Sequence, residues 1–310
     1  MRHSLNRRCK LFGRSQCTIK RFFLLFFSIF PALAWESTPP PIPVEPQRIV
    51  STAPSITEML YSLGLGDRVV GVTTYCHYPS EVLQKPKIGN YINPDFEAIL
   101  AVKADLIVVL KEHYNLVSQL KKFGLPLTVL QHNDLAGIYQ SLIRLGEVTG
   151  TYELAMAQIN HLQSELTKIR QQIIDRPLRS VMFVVGRTPA TVEDLIVVGR
   201  GSFLNELMVI AGGQNIFADT LTHYPRIPRE EIYARRPEVI IDMGNMGATT
   251  NIPDKHHELV KALWKQMAKL PAVKTGRVYP ITENFFVVPG PRVIEATKRF
   301  VEMIHPEITQ

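Results

Sequence analysis

The sequence predicts an α/β protein of two lobes, each with a mostly parallel sheet covered by helices, joined by a single long α-helix. Three observations carry that prediction. From Arg48 onward, short β-rich runs alternate with helical patterns. One long amphipathic stretch separates two such sets, and a segment of the first set recurs in the second.

Residues 1–34 hold seven basic residues and no acid, with the apolar run Phe22–Phe30 followed by Pro31 and Ala32-Leu33-Ala34. A basic start, a short apolar centre and a small-residue ending are the parts of a secretory signal peptide. The apolar stretch, about 13 residues, falls short of the roughly 20 that span a bilayer, so cleavage after Ala34 is expected. The whole formal charge of +7 belongs to this leader: removing its seven bases from 35 leaves 28 against 28 acids in residues 35–310. A body without net charge excludes the nucleic-acid reading that the full chain invites. Of three cysteines, Cys9 and Cys17 lie in the leader and Cys76 stands alone in the remainder, so no internal disulfide is expected. Trp35 occupies the place where a lipoprotein carries its cysteine, which makes a soluble product in the exported compartment the expectation. Residues 35–47, rich in proline, read as an extended linker.

The N-terminal lobe, 48–150, is built from strands Arg48–Thr52, Val69–Thr74, Asp105–Leu110 and Leu127–Gln131, with helices Ser55–Leu65, Asp95–Lys103, Leu116–Phe123 and Leu135–Thr149 between them. Residues 151–176 lack Pro and Gly and place Ile159, Leu162, Leu166, Ile169 and Ile173 at spacings of three and four, the stripe of one long helix. That stripe covers too few heptads for a coiled coil, so a connecting strut is expected. The C-terminal lobe, 177–310, follows with strands Ser180–Val185, Leu195–Val198, Glu238–Met243 and Arg277–Ile281. Its helices are Ser202–Ala211, Arg229–Arg235, His256–Lys269 and Pro291–Ile304.

Phe96–Ile107 aligns with Arg229–Ile240 in Glu, Ile, Ala, a base, an acid and Ile, so the lobes form a pseudo-repeat. Glu97 and Glu230 hold the same early helical position. The helix dipole alone explains an acid there; a matched pair also suits a pseudo-symmetric basic partner.

Arg48–Glu58, Val70–Pro79, Gly199–Phe203, Ala211–Asn215 and Gly290-Pro291-Arg292, together with the leader and the single connecting helix, resemble the class III periplasmic solute-binding proteins of ABC importers. The likeness covers roughly residues 48–305, and the cobalamin-binding members are the most similar. The resemblance implies that Glu97 and Glu230 dock on arginines of the permease. It also implies that Tyr75, Tyr91, Tyr224 and Asn284–Val288 face the inter-lobe cleft, with tyrosine at 91 and 224 where cobalamin-binding members carry tryptophan.

Ligands of open parallel sheets sit beyond the carboxyl ends of the strands. The loops there carry Tyr75, Cys76, His77 and Tyr78, then Tyr91, then Lys111 to Tyr114 and His132. In the second lobe they carry Arg187, Arg200–Ser202, His223, Tyr224, Asn245, Asn284, Phe285 and Phe286. Aromatic faces with a few polar groups suit a flat, partly apolar macrocycle. His77, His113, His132 and His223 lack metal-ligand spacing, while a single His or Tyr suffices as an axial ligand to a chelated metal. Arg292 either meets a carboxylate or amide of the ligand or braces the last strand loop. Ser55 and Ser202 read as N-caps.

No P-loop, dinucleotide fingerprint or nucleophile elbow occurs, so no enzymatic apparatus is visible. The expected function is capture of cobalamin or a related corrinoid for an importer permease and its ATPase. Haem or a ferric siderophore is the alternative cargo, and an exported α/β enzyme acting on a metal chelate the remote one. The chelate is cargo and no resident cofactor is implied; a monomer is expected.

Overall fold

The computed structural model describes residues 45–244 and 255–308 of the chain, so the expected leader, most of the linker and Asn245 lie outside the described residues. In the N-terminal lobe, β1 (Ile49–Ser51), β2 (Val69–Val72), β3 (Leu106–Leu110) and β4 (Leu127–Leu130) form a sheet in the order β2-β1-β3-β4, parallel throughout. Helices α1 (Pro54–Ser62), α2 (Phe96–Ala101), α3 (Tyr114–Lys122) and α4 (Leu135–Thr149) cover both faces. All five residues of β3 are buried, which is why its sequence is a continuous apolar run rather than an alternating one.

The connecting helix α5 spans Tyr152–Gln172, about 31 Å at 1.5 Å per residue. Its buried row, Ala155, Ile159, Leu162, Leu166 and Ile169, lies against α4 and two helices of the second lobe, α6 (Phe203–Ile210) and α10 (Val293–Ile304). The approach to α4 is close: a Cβ on Gly146 would lie 2.9 Å from the Ala155 Cβ. Gly150 ends α4 at φ +74°, a left-handed cap suited to glycine. The connecting helix packs into both lobes: one apolar core runs through Ile56 and Leu142, then Leu162 of α5, to Leu204 and Phe300. Smaller clusters fill the outer face of each sheet, around Val50, Ile99 and Leu120 in one lobe and Met182, Ile240 and Trp264 in the other.

The C-terminal lobe contains β5 (Arg179–Gly186), β6 (Leu195–Val197), β7 (Gly213–Asn215), β8 (Arg226–Ile227), β9 (Val239–Asp242) and β10 (Val278–Pro280). The order is β10-β9-β5-β6-β8, with β7 parallel to the first residues of β5. Between the strands run α6, α7 (Arg229–Arg235), α8 (Lys255–Lys265) and α9 (Pro271–Lys274), and α10 follows β10. The expected strands and helices are present; β7, β8 and α9 are additions to them. β6 runs antiparallel to β5, so the lobe is mostly rather than wholly parallel.

Without β6, β8 and the short α9, β5-α6-β7-α7-β9-α8-β10-α10 repeats the order β1-α1-β2-α2-β3-α3-β4-α4. The repeat extends to backbone detail. Lys103 after α2 and Arg236 after α7 are both left-handed, at φ +46° and +50°. Two residues further on, Asp105 accepts the Gln47 and Arg48 N–H groups at 2.8 Å each, and Glu238 accepts the Ser180 N–H at 2.8 Å. In each lobe a carboxylate beside the incoming strand thus pins the start of its parallel neighbour.

Candidate functional site

All four strands of the first sheet end at one edge, and the loops leaving that edge carry the candidate residues. In the loop after β2, Tyr75 and Tyr78 are each 46% exposed, while Cys76 between them is buried. The Cys76 thiol lies 3.1 Å from Thr57 Oγ1 and 3.3 Å from Thr73 Oγ1, and burial pushes its pKa up, keeping it neutral. The thiol anchors the loop and the flanking tyrosines remain open. His77 is exposed. Tyr91 sits in a turn where Asn90 Oδ1 accepts the Ile92 and Asn93 N–H groups, and its ring meets His113 edge-on at 4.8 Å. Burial, and then Glu112, push the Tyr91 phenol up to about 12. Both ring nitrogens of His113 are enclosed without a hydrogen-bond partner, and burial lowers its pKa, so the imidazole is neutral.

Cross-lobe contacts make the floor between the two carboxyl edges. Arg292, at the start of α10, donates from Nε to Glu58 Oε2 at 3.0 Å and from Nη2 to Oε1 at 2.5 Å, and from Nη1 to Asn284 Oδ1 at 3.0 Å. Tyr78 lies over the guanidinium, 4.2 Å from ring centroid to Cζ. With three of its five N–H donors engaged and its side chain 9% exposed, Arg292 takes the bracing alternative. Desolvation raises the Glu58 carboxyl above its ordinary value, and Arg292 opposes that rise. Nearby, the Phe203 N–H donates to the Asn133 carbonyl and the Leu135 N–H to Glu206 Oε2, each at 2.7 Å.

Ser202 caps α6 as expected, accepting the Asn205 N–H at 3.2 Å. Ser55 does not cap α1. Its Oγ lies 2.8 Å from His132 Nε2, and Ser141 Oγ lies 3.1 Å from Nδ1. Burial pushes the His132 pKa from 6.5 down to about 4. The unfolded chain therefore binds a proton on His132 in the window between those values where the folded chain does not. The stability that neutral His132 contributes is complete above pH 6.5 and is lost as the pH falls toward 4. Its size is of the order of 3 kcal/mol. His132→Gln should flatten this part of a denaturation-against-pH curve, and an unchanged slope would show that other groups set it.

In the second lobe, Phe286 corrects an expectation. It is fully buried, packed edge-on against Phe183 and Phe300, and belongs to the core rather than to a ligand surface. Phe285 is half-buried beside it and 5.8 Å from the Arg292 guanidinium. Arg187 is also withdrawn: its Nε bonds Asp242 Oδ2 at 3.0 Å, and Trp264 Nε1 reaches the same oxygen at 2.7 Å. Because β6 is antiparallel, Arg200–Ser202 does not leave the carboxyl edge of β5; it reaches the lobe junction through the start of α6 instead. The exposed His223 returns its carbonyl to the Gly199 N–H at 2.7 Å. A Cβ at Gly199 would lie 2.3 Å from the Thr222 carbonyl, so glycine is required by close approach.

Tyr224 is 40% exposed, yet burial holds its phenol at about 12. It stands before β8, and Asn284 and Phe285 follow β10, at opposite edges of the sheet. Four strand spacings separate those edges, roughly 19 Å.

The structure unites Tyr78, Asn284, Phe285 and Arg292 in one cluster, and Tyr91 with His113 in another. Tyr75 and His77 stand on the loop of the first cluster. Glu58 and Asp242, the partners of the two arginines, carried no sequence signal. Glu97 and Glu230 are exposed and make no ion pair among the described residues, whereas Glu231 beside the latter pairs with Arg235 at 3.0 Å. No group of three or more His, Cys, Asp or Glu side chains among the described residues is arranged to hold a metal ion. No described helix is long and apolar enough to cross a membrane.

A family model described as periplasmic binding protein matches residues 49–284. An uncharacterized ABC transporter substrate-binding lipoprotein of Bacillus subtilis, YvrC, is 31% identical over 273 residues, covering 85% of this chain and 81% of its own. A vitamin B12-binding protein of Photorhabdus laumondii is 25% identical over 262 residues, 84% of this chain and 88% of its own. Among solved structures, the periplasmic vitamin B12 binding protein BtuF of Vibrio cholerae matches with a TM-score of 0.72 at 24% identity, over 86% of this chain and 100% of that one. A periplasmic heme binding protein from Pseudomonas aeruginosa matches with the same TM-score, 0.72, at 24% identity, over 84% and 93%. The equal scores establish the fold and do not separate the two ligands.

Proposed function

Because the chain belongs to the periplasmic binding protein family, we propose that it captures a corrinoid such as cobalamin between its lobes and presents it to the permease of an ABC importer. The observation that carries this reading is the set of open tyrosine rings, Tyr75 and Tyr78 on one lobe and Tyr224 on the other, together with buried arginines, Arg187 and Arg292, whose charges are already paired. Aromatic faces supply contact area at little entropic cost, and a guest with uncharged amide arms needs no free cation beneath it. The B12-binding relative supports the same cargo.

Glu97 and Glu230, unpaired at the rim of their lobes, are the acids that would meet basic residues of the permease, acting more on association than on final affinity. An extracytoplasmic location follows from the family.

Tyr75→Ala and Tyr224→Ala should each weaken cyanocobalamin binding by roughly 1–3 kcal/mol, read by calorimetric titration of the purified protein. Wild-type affinity in both variants would remove the aromatic site.

A further inference from the structure

On each lobe the docking acid belongs to a longer module. Tyr91, Glu97 and Leu100 recur with the same spacing as Tyr224, Glu230 and Tyr233. The first member of each set is a tyrosine six residues before the second, an exposed acid without an ion pair among the described residues. The third is an apolar side chain left in solvent, Leu100 at 40% and Tyr233 at 38% exposure. Scattered exposed apolar residues are ordinary on a protein surface. Two of them at the same repeat position, each one helical turn beyond an unpaired acid, are not scattered.

The helices explain the placement. α2 leads into the amino end of β3 and α7 into the amino end of β9, so both helices begin at the carboxyl edge of their sheets, where the candidate site lies. Leu100 and Tyr233 follow the acids by three residues, about 4.5 Å along the helix. Around Leu100 the apolar surface continues: Phe96 lies one turn earlier on the same helix, and its ring packs at 4.9 Å on Phe123, itself 65% exposed. Tyr233 borders an open hollow of about 430 Å³ with Gln266, Ala268 and Lys269.

We propose that Leu100 and Tyr233 are the apolar anchors of the permease-docking surface. The partner they fit is a membrane protein presenting twice, about a two-fold axis, a basic side chain beside an apolar recess. This rests on the importer reading above and adds residues to it. Exposed acids speed and orient an encounter, whereas residence on a partner comes from desolvated apolar and aromatic anchors, which the acids lack. A second copy of this chain is a poor occupant, because Glu97 and Glu230 would then face acids of the same sign.

The test uses Leu100→Asn combined with Tyr233→Asn, both at exposed positions. Uptake of radiolabelled cyanocobalamin is measured in cells whose only copy is the variant, and cyanocobalamin affinity is measured on the purified variant. The proposal expects uptake to fall by about tenfold or more with ligand affinity unchanged, the size of a lost hot spot. Wild-type uptake overturns it. So does a wild-type dimer, seen by sedimentation, that the variant dissolves. If instead wild-type protein fails to bind cyanocobalamin, the cargo reading alone falls, and the same uptake comparison with the chelate that it does bind decides this proposal.

Discussion

Asp242→Ala is expected to destabilise the protein by about 3–5 kcal/mol, because removing one partner of a buried pair strands the other charge. Asp242 is wholly buried and accepts from Arg187 Nε, from Trp264 Nε1 at 2.7 Å and from the Gly244 N–H at 2.6 Å. The Arg187 side chain, 3% exposed, keeps its Nη1 bond to the Thr191 carbonyl but loses its opposite charge once that carboxylate is gone. Three groups lose an acceptor together, so the loss exceeds that of an ordinary hydrogen bond. Denaturant unfolding followed by Trp264 fluorescence measures it, since the indole sits on the altered group. A loss below about 1 kcal/mol would mean that Arg187 finds another partner.

Glu58→Ala is expected to cost a similar 3–5 kcal/mol and to loosen the lobe junction as well. The pair it breaks joins α1 of one lobe to α10 of the other, and Arg292 also holds Asn284 and the Tyr78 ring. Arg292→Met should cost a comparable amount alone. The double variant Glu58→Leu with Arg292→Met should recover much of the loss, because two apolar residues leave no stranded charge. A double-mutant cycle built from Glu58→Leu, Arg292→Met and the two together therefore predicts a coupling energy of at least about 3 kcal/mol, the cost of one single change. Additive single costs would show that the tie across the junction is not energetically real.

Much of the architecture was legible because it is local. The stripe from Ile159 to Ile173, the apolar run of β3 and the recurrence of Glu97 at Glu230 follow from periodicity and spacing within a few turns. Tyr75 and Tyr78 were legible as aromatic residues in a loop that follows a strand, and both rings are exposed there. What stayed hidden is non-local or directional. Periodicity carries no strand direction, so the reversal at β6 and the short β8 were not visible. Gly213–Asn215 has no β-branched residue, and β7 forms only because β5 offers a free edge there. Arg292 read as bracing or ligand-binding with equal ease until Glu58, 234 residues away, appeared beneath it. Phe286 read as a site residue because it adjoins Asn284 and Phe285, yet the tight turn after β10 sends its ring inward to Phe183.

The most direct measurement of cargo capture is a visible-absorption titration of purified protein with cyanocobalamin, haemin and a ferric siderophore in parallel. Saturable, stoichiometric binding of cyanocobalamin, tighter than that of the other two and with the corrinoid recovered unchanged, is the predicted result. A folded protein that ignores cyanocobalamin while binding another chelate, or that returns its guest chemically altered, would contradict it.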